Sequence, residues 1–247
     1  MCTVVFIPEN DKFYFASLRD ESPLRSKALL PEINISNEVH YLSPKDSKEG
    51  GTWVGVNNRG SVIILLNGGL QNHKRKEKYR KSRGLIVNEL LSSDMPLVDW
   101  SLLRLEDIEP FTLVLFDKIN LFELVWDGAQ RMKTQLNTSI AHIWSSSTLY
   151  DADAKANRES HFRNWINVKP AISMNSLSSF FKSVKDSENG FIINRKEQVK
   201  TLSYTFIEFH NNVNAQMDYL EIGQSTSNRA CLQIITRADS CSIPNFD

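Results

Sequence analysis

The sequence has few cysteines, no excess of either charge and no long apolar run. Its three cysteines, Cys2, Cys231 and Cys241, are too few for a disulfide framework and indicate a reducing compartment. No window approaches the roughly 20 apolar residues of a membrane helix, and no charged-then-apolar leader opens the chain, so we expect neither a membrane span nor a secretory signal. Together these absences predict a cytoplasmic protein.

The charge balance bears on the kind of partner. In 247 residues, 29 basic side chains offset 29 acidic ones, and the formal net charge is zero. A dedicated nucleic-acid-binding protein is normally basic, so we expect no nucleic-acid partner. The sequence contains no internal repeat, no low-complexity stretch and no shift in composition. It therefore predicts one domain over residues 1–247.

Short apolar runs separated by turns predict an α+β fold with antiparallel sheets. Strands are predicted at residues 2–7, 12–17, 53–56, 61–66, 111–116, 121–126, 140–144, 191–193, 202–209, 217–222 and 230–235. Helices are predicted at residues 85–91, 101–107, 153–165 and 177–184. The polar stretch 34–51 is predicted to be a loop that contains at most a short element.

Cys2 is the first candidate for chemistry. Methionine before a small residue is normally removed in the cell, which would leave Cys2 with a free α-amine. The α-amine titrates at about 7.7–8.0 and a thiol at about 8.5, so one residue can supply both a nucleophile and its base. The alternative interpretation is that Cys2 is only a small apolar residue at the start of a strand.

Motifs that are weak singly form a specific set together. They are Met1-Cys2-Thr3, Arg19-Asp20-Glu21 followed by Pro23, the block from Gly50-Gly51-Thr52-Trp53 to Gly60, Leu66-Asn67 and Ser82-Arg83-Gly84. On these motifs the sequence resembles the NRDE family, also called the Transport and Golgi organisation protein 2 family, over nearly its whole length.

The resemblance implies a fold and a chemistry. The family looks like a member of the N-terminal nucleophile hydrolases, whose fold is a four-layer αββα sandwich. Relatives with an N-terminal cysteine include penicillin V acylases and conjugated bile acid hydrolases, which cleave non-peptide C–N bonds. The resemblance implies that Cys2 is the nucleophile, that Asp20 holds the α-amine, that Arg19 lies by the thiolate or substrate, and that Asn67 lines the oxyanion hole.

Residue chemistry limits two of these roles. Successive strand residues point to opposite faces, so Arg19 and Asp20 cannot both face Cys2 unless the strand ends or bulges there. The following Glu21-Ser22-Pro23 favours such an end. A carboxylate raises the pKa of a nearby amine, so orientation is the safer role for Asp20. Alternatively, residues 19–21 form a surface ion-pair cluster, and Asn67 is only a turn residue before two glycines.

The sequence departs from the family pattern in two places. Leu18 stands where the NRDE signature begins with asparagine, and Ser146 stands where family members usually carry another asparagine. A serine hydroxyl can still donate one hydrogen bond. We expect Ser146 and Trp53 to contact the substrate, although the two lost amides weaken the case for acylase-like turnover.

Two further features give no site. Five histidines without metal-ligand spacing and two distant cysteines do not supply the four convergent ligands of zinc, so we predict no metal and no other cofactor. Residues 74–83 hold seven basic side chains and one acidic side chain. They could contact phosphates, but the resembling family has a variable loop here, and we interpret the segment as solvated.

Two functions follow, with a small molecule as the partner in both. The first is a cysteine amidohydrolase that acts on a small N-acyl compound through Cys2, Arg19, Asp20 and Asn67. The second is a protein that binds or carries a small hydrophobic ligand, such as haem or an acyl lipid, in the same pocket without turnover. The departures at Leu18 and Ser146 favour the carrier, and the four retained residues favour the enzyme.

Overall fold

Two antiparallel sheets stacked face to face form the centre of the molecule. The computed structural model describes residues 3–36, 38–168, 170–210, 213–223 and 227–235. Within them each sheet has seven strands. Two helices cover the outer face of each sheet, so the predicted four-layer αββα sandwich is confirmed.

The first sheet contains the start of the described chain. Its strand order is β10-β1-β2-β12-β13-β14, with β11 paired to β12. The strands are β1 (Thr3–Glu9), β2 (Lys12–Glu21), β10 (His142–Ser145), β11 (Asn194–Arg195), β12 (Val199–His210), β13 (Asn214–Glu221) and β14 (Ser227–Gln233).

The second sheet runs in chain order from β3 to β9. Its strands are β3 (Ala28–Ser36), β4 (Val39–Asp46), β5 (Val54–Asn57), β6 (Val62–Asn67), β7 (Phe111–Phe116), β8 (Leu121–Trp126) and β9 (Arg131–Leu136). Helices α1 (Arg83–Leu91) and α2 (Pro96–Leu102) cover this sheet, and α3 (Ala152–Asn167) and α4 (Met174–Ser183) cover the first.

Alternation along the strands divides the core into two parts. In β1, Val4 and Phe6 face the second sheet, whereas Val5 and Ile7 face α3 and α4. All four side chains are buried because the first sheet is covered on both faces. Each residue of β1 and β2 therefore belongs either to the inter-sheet core or to the helix-side core.

Local sequence explains where the helices begin. Ser82 and Asp151 precede α1 and α3, and their side chains accept hydrogen bonds from the backbone N–H groups of Gly84 and Ala154. Ser173 forms a capping box before α4. Within the described chain, no helix has the length and apolar character needed to cross a bilayer.

The structure corrects several predictions. Residues 34–51 were expected to be a loop, but β3 and β4 form a hairpin there, because an edge of a sheet tolerates polar, partly exposed strands. The helix expected at 101–107 lies earlier, at 96–102, since Pro96 fits the first turn of a helix. Residues 191–193 are not a strand, and β9, which is polar, was missed.

Candidate active site

Asn67, the last residue of β6, lies where the end of β6 meets the residues that follow β10. Gly68 follows it with a φ of +83°, and a Cβ on Gly68 would come 2.3 Å from the Ser147 hydroxyl. Only glycine permits this turn and this close approach. The Ser146 hydroxyl donates a hydrogen bond to the backbone carbonyl of Asn67 over 2.8 Å. The end of β6 is thereby fixed against residues 145–148, which follow β10.

Two cavities open on either side of Asn67. We call them the charged cavity and the mixed cavity, with volumes of about 90 Å³ and about 290 Å³. The lining of the charged cavity includes Arg19, Arg25, Asp46, Trp53, Asn67 and Arg83. The lining of the mixed cavity includes Asn67, Glu123, Val125, Trp144, Ser146 and Lys155.

Arg19 is the buried cation of the charged cavity. Its side chain lies on the inter-sheet face of β2, and its guanidinium carbon stands 4.7 Å from the centre of the Trp53 ring. Its Nη2 lies 3.8 Å from a carboxylate oxygen of Asp46. Burial lowers the pKa of Arg19 from its ordinary value. The Trp53 ring therefore holds a partly desolvated positive charge at the cavity wall.

Asp46 is the matching anion. Burial alone would raise its pKa, but the backbone N–H groups of Glu49 and Lys48 and the side chain of Arg25 outweigh burial and lower it. Arg25 Nε donates to Asp46 over 2.9 Å. Asp46 thus stays ionised and fixes two arginines at the rim of the charged cavity.

Asp20 lies on the opposite face of β2. It is buried beneath the helix layer and accepts hydrogen bonds from the Tyr150 hydroxyl over 3.1 Å and from the Thr201 hydroxyl over 2.7 Å. Burial raises the pKa of Asp20, although these two hydrogen bonds and the nearby charge of Arg158 oppose the rise. The strand end that Glu21-Ser22-Pro23 suggested after Asp20 is not found, because β2 continues to Glu21. Arg19 and Asp20 therefore point to opposite faces.

Arg158 connects Asp20 to the start of the described chain. This arginine of α3 is 1% exposed and donates to the hydroxyls of Thr3 and Ser145. It also donates to the backbone carbonyls of Asn189 and Gly190. Thr3 is the first described residue, and Cys2, the expected nucleophile, lies outside the described residues. Arg158 therefore lies between the charge of Asp20, with which it interacts electrostatically, and Thr3, to which it donates a hydrogen bond.

The structure brings some of the expected site residues together and separates others. Arg19, Trp53 and Asn67 line the charged cavity, and Asn67 and Ser146 line the mixed cavity. Asp20 lines neither of them. The interpretation of residues 19–21 as a surface cluster is wrong for Arg19 and Asp20, because both are buried.

The departure from the family signature at Leu18 does not touch either cavity. Leu18 is fully buried in the helix-side core, where it packs with Phe206 and neighbours. The departure at Ser146 does lie at the site, but its hydroxyl retains a hydrogen bond to Asn67. The two departures are therefore not equivalent: one changes the core and the other changes the cavity wall.

The basic segment 74–83 has acidic contacts beside the charged cavity. Lys76 lies 2.9 Å from Asp107, and Arg83 lies 3.2 Å from Glu109. Ser82, Arg83 and Gly84 form part of the charged-cavity wall. The segment is largely exposed, as expected for a solvated loop, but these ion pairs attach it to the connection between α2 and β7.

Sequence reasoning missed the buried partners of the site. Tyr150, Arg158 and Thr201 are remote from Asp20 in sequence, and Asp46 lies in a stretch that was expected to be a loop. A buried arginine in an otherwise polar helix gives no periodic signal, since α3 as a whole is polar. In the ranges described here, no three His, Cys, Asp or Glu side chains gather into a metal site.

Comparisons with known proteins find related sequences. The model of the family Transport and Golgi organisation 2 matches residues 1–228. A bovine Transport and Golgi organization protein 2 homolog is 33% identical over 85 residues, which are 34% of this chain and 30% of the bovine protein. That match therefore spans less than a third of the bovine protein.

Solved structures share the fold at low sequence identity. A variant of conjugated bile acid hydrolase from Clostridium perfringens superposes with a TM-score of 0.61 at 11% identity, over 93% of this chain and 92% of that chain. A Caenorhabditis elegans ortholog of N-acylethanolamine-hydrolyzing acid amidase gives a TM-score of 0.59 at 12% identity, over 83% and 92% of the two chains. These similarities show an N-terminal nucleophile hydrolase fold.

Proposed function

The chain belongs to the Transport and Golgi organisation 2 family, and from that premise we propose that it is a cysteine amidohydrolase acting on a small N-acyl compound. The nucleophile is Cys2, exposed as the N-terminal residue after Met1 is removed. The observation that carries the proposal is the convergence of Arg19, Trp53 and Asn67 on one cavity. The structural neighbours are named as a conjugated bile acid hydrolase and an N-acylethanolamine-hydrolyzing acid amidase ortholog, and these names support the same reaction class.

In the proposed reaction, the Cys2 thiolate attacks the amide carbonyl carbon and a C–S bond forms. The negative charge that develops on the carbonyl oxygen is stabilised by the side-chain amide of Asn67. The α-amine of Cys2 takes the thiol proton and returns it to the leaving amine as the C–N bond breaks. Water then hydrolyses the thioester and releases the carboxylic acid.

Two residues support this chemistry without forming bonds to the substrate. Arg19 supplies positive charge, which favours a thiolate over a thiol. Asp20 is a positioning residue for the N-terminal amine and acts from the opposite face of β2 to Arg19, since the amine and the thiol are separate groups of Cys2. The Asp20 carboxylate is itself held by Tyr150 and Thr201. Trp53 and Ser146 contact the substrate from the two cavities. We further propose that residues 1–247 are one domain, because residues of both sheets share a hydrophobic core.

The alternative proposal is a carrier of a hydrophobic ligand such as haem or an acyl lipid. The observation that favours it is the apolar part of the mixed-cavity wall, where Val125 and Trp144 lie beside Ser146. Ser146 has one hydroxyl at the position where other members of the family usually carry the side-chain amide of asparagine. A carrier would use this wall for binding and would not need Cys2.

The test is hydrolysis of a panel of N-acyl amides by the purified full chain. Cys2→Ala is compared with wild type, and Cys231→Ala is the matched control because Cys231 is an exposed free thiol. We expect wild type and Cys231→Ala to release amine at equal rates and Cys2→Ala to release none. Equal rates in wild type and Cys2→Ala would contradict the proposal. Binding of an acyl ligand by wild type without any hydrolysis would support the carrier.

A further inference from the structure

Lys155 is a charged side chain in the mixed cavity that the proposed reaction does not use. It lies in the first part of α3, is half-buried and lines the cavity together with Ser146 and Trp144. Across the described ranges of the chain, no carboxylate oxygen lies within 4.0 Å of its ammonium nitrogen. Its charge therefore lies at the cavity wall without a counter-ion among the described residues.

The two acidic residues of the same wall have other partners. Glu123 accepts a hydrogen bond from the indole nitrogen of Trp144 over 2.8 Å. Glu159 forms an ion pair with Arg163 one helical turn further along α3. Neither carboxylate forms an ion pair with Lys155. The negative charge of Glu123 in the cavity wall repels an anionic ligand and so opposes the attraction of Lys155.

An unpaired ammonium beside apolar side chains is unfavourable, because it loses hydration without gaining a counter-ion. Val125, Ile143 and Trp144 supply the apolar part of the wall. A ligand with a short apolar portion and one anionic group would match both parts at once. We propose that the mixed cavity binds the anionic end of an amphipathic ligand, with Lys155 pairing to its carboxylate or phosphate.

This inference deepens the proposed function and rests on it in one respect. Asn67 lines both cavities, so a substrate whose amide lies at Asn67 can extend into the mixed cavity. Lys155 is then a specificity-determining residue that favours N-acyl compounds bearing an anionic group. The binding claim itself does not require turnover, and it can be measured in a protein that cannot react.

The test uses isothermal titration calorimetry on the full chain carrying Cys2→Ala. The probes are N-octanoylglycine, its neutral analogue N-octanoylglycinamide, and octyl phosphate. We expect N-octanoylglycine to bind about tenfold more tightly than the amide, as a charge-assisted hydrogen bond would give. The relative affinities of octyl phosphate and N-octanoylglycine distinguish a phosphate from a carboxylate ligand.

Added substitutions then assign the preference. Lys155→Met should remove the preference for the anionic probe, Lys155→Arg should retain it, and Lys182→Met, an exposed lysine on α4, should leave it unchanged. Equal affinity for the acid and the amide, an unchanged preference in Lys155→Met, or no binding of any probe would overturn the inference. A charge preference without hydrolysis by wild type would refute only the amidohydrolase, and hydrolysis without a charge preference would refute only the role of Lys155.

Discussion

Arg19 and Asp20 are adjacent on β2 but lie in different environments. Arg19 faces the second sheet, stacks on Trp53 and reaches an open cavity. Asp20 faces the helix layer, where Tyr150 and Thr201 surround its carboxylate. The alternation of strand side chains separates the two charges, and among the described residues Asp20 lines neither the charged cavity nor the mixed cavity.

The difference shows that two adjacent charged residues can have separate roles, one in ligand chemistry and the other in folding. Among the described residues, Arg19 has a single ion-pair partner, Asp46 at 3.8 Å, and a contact with the Trp53 ring, so its charge remains available to a ligand. Asp20 has both carboxylate oxygens occupied by hydroxyl groups of the protein. We therefore expect changes at Asp20 to affect folding more than changes at Arg19, and changes at Arg19 to affect ligand chemistry more directly.

The largest expected effect on stability is that of Asp20→Ala. It removes the carboxylate that accepts from the Tyr150 hydroxyl and leaves the Thr201 hydroxyl with the longer contact to the Phe191 carbonyl, 3.3 Å, and we expect the free energy of unfolding to fall by about 2–4 kcal/mol. Arg19→Met keeps the hydrocarbon stem and loses an ion pair of 3.8 Å and a ring contact, so we expect a loss of about 1 kcal/mol. Urea unfolding of both variants measures the difference.

The control for Asp20→Ala is Asp20→Asn, whose single side-chain oxygen can still accept one of the two hydrogen bonds, so it should cost less. An Arg19→Met variant that is less stable than Asp20→Ala would break the comparison. It would mean that the inter-sheet face of β2, and not the helix-side face, carries the structural charge.

A smaller effect is the opposite pH dependence of the two buried carboxylates. The folded-state pKa of Asp20 is raised above its ordinary 3.8, so its contribution to stability falls as the pH rises above that value. The folded-state pKa of Asp46 is lowered below 3.8, so its contribution is present above that value and is lost as the pH falls through the folded pKa.

Urea unfolding at about pH 3 and about pH 6 separates these contributions. The stability of wild type relative to Asp20→Asn should decrease towards the higher pH, whereas the stability relative to Asp46→Asn should decrease towards the lower pH. The same sign for both variants would show that the two faces of the site do not differ electrostatically in the way described.

The sequence predicted buried apolar strands more accurately than partly exposed polar strands. The hairpin of β7 and β8 was predicted with its observed bounds, because both strands are apolar runs joined by a short turn. The hairpin of β3 and β4 was missed because its strands mix exposed and buried positions at the edge of the second sheet. Periodicity identifies strands buried on both faces better than polar edge strands.

The candidate site was predictable where a motif carried it. The motifs identified Arg19, Trp53 and Asn67, and the structure places these three on one cavity. Asp46 and Lys155 could not be found in this way, since their roles depend on contacts between distant segments. The position of Asp20 was not predictable in full: strand alternation separates it from Arg19 only while β2 continues, which the sequence left open, and Tyr150 and Thr201 were not foreseen.

Whether Cys2 is the nucleophile is measured by the intact mass of the purified protein, taken before and shortly after mixing with an excess of an N-acyl amide substrate. We expect a chain that lacks Met1 and then a transient mass increase equal to one acyl group, located on the N-terminal peptide. Retention of Met1, or an acyl adduct on a residue other than Cys2, would contradict it.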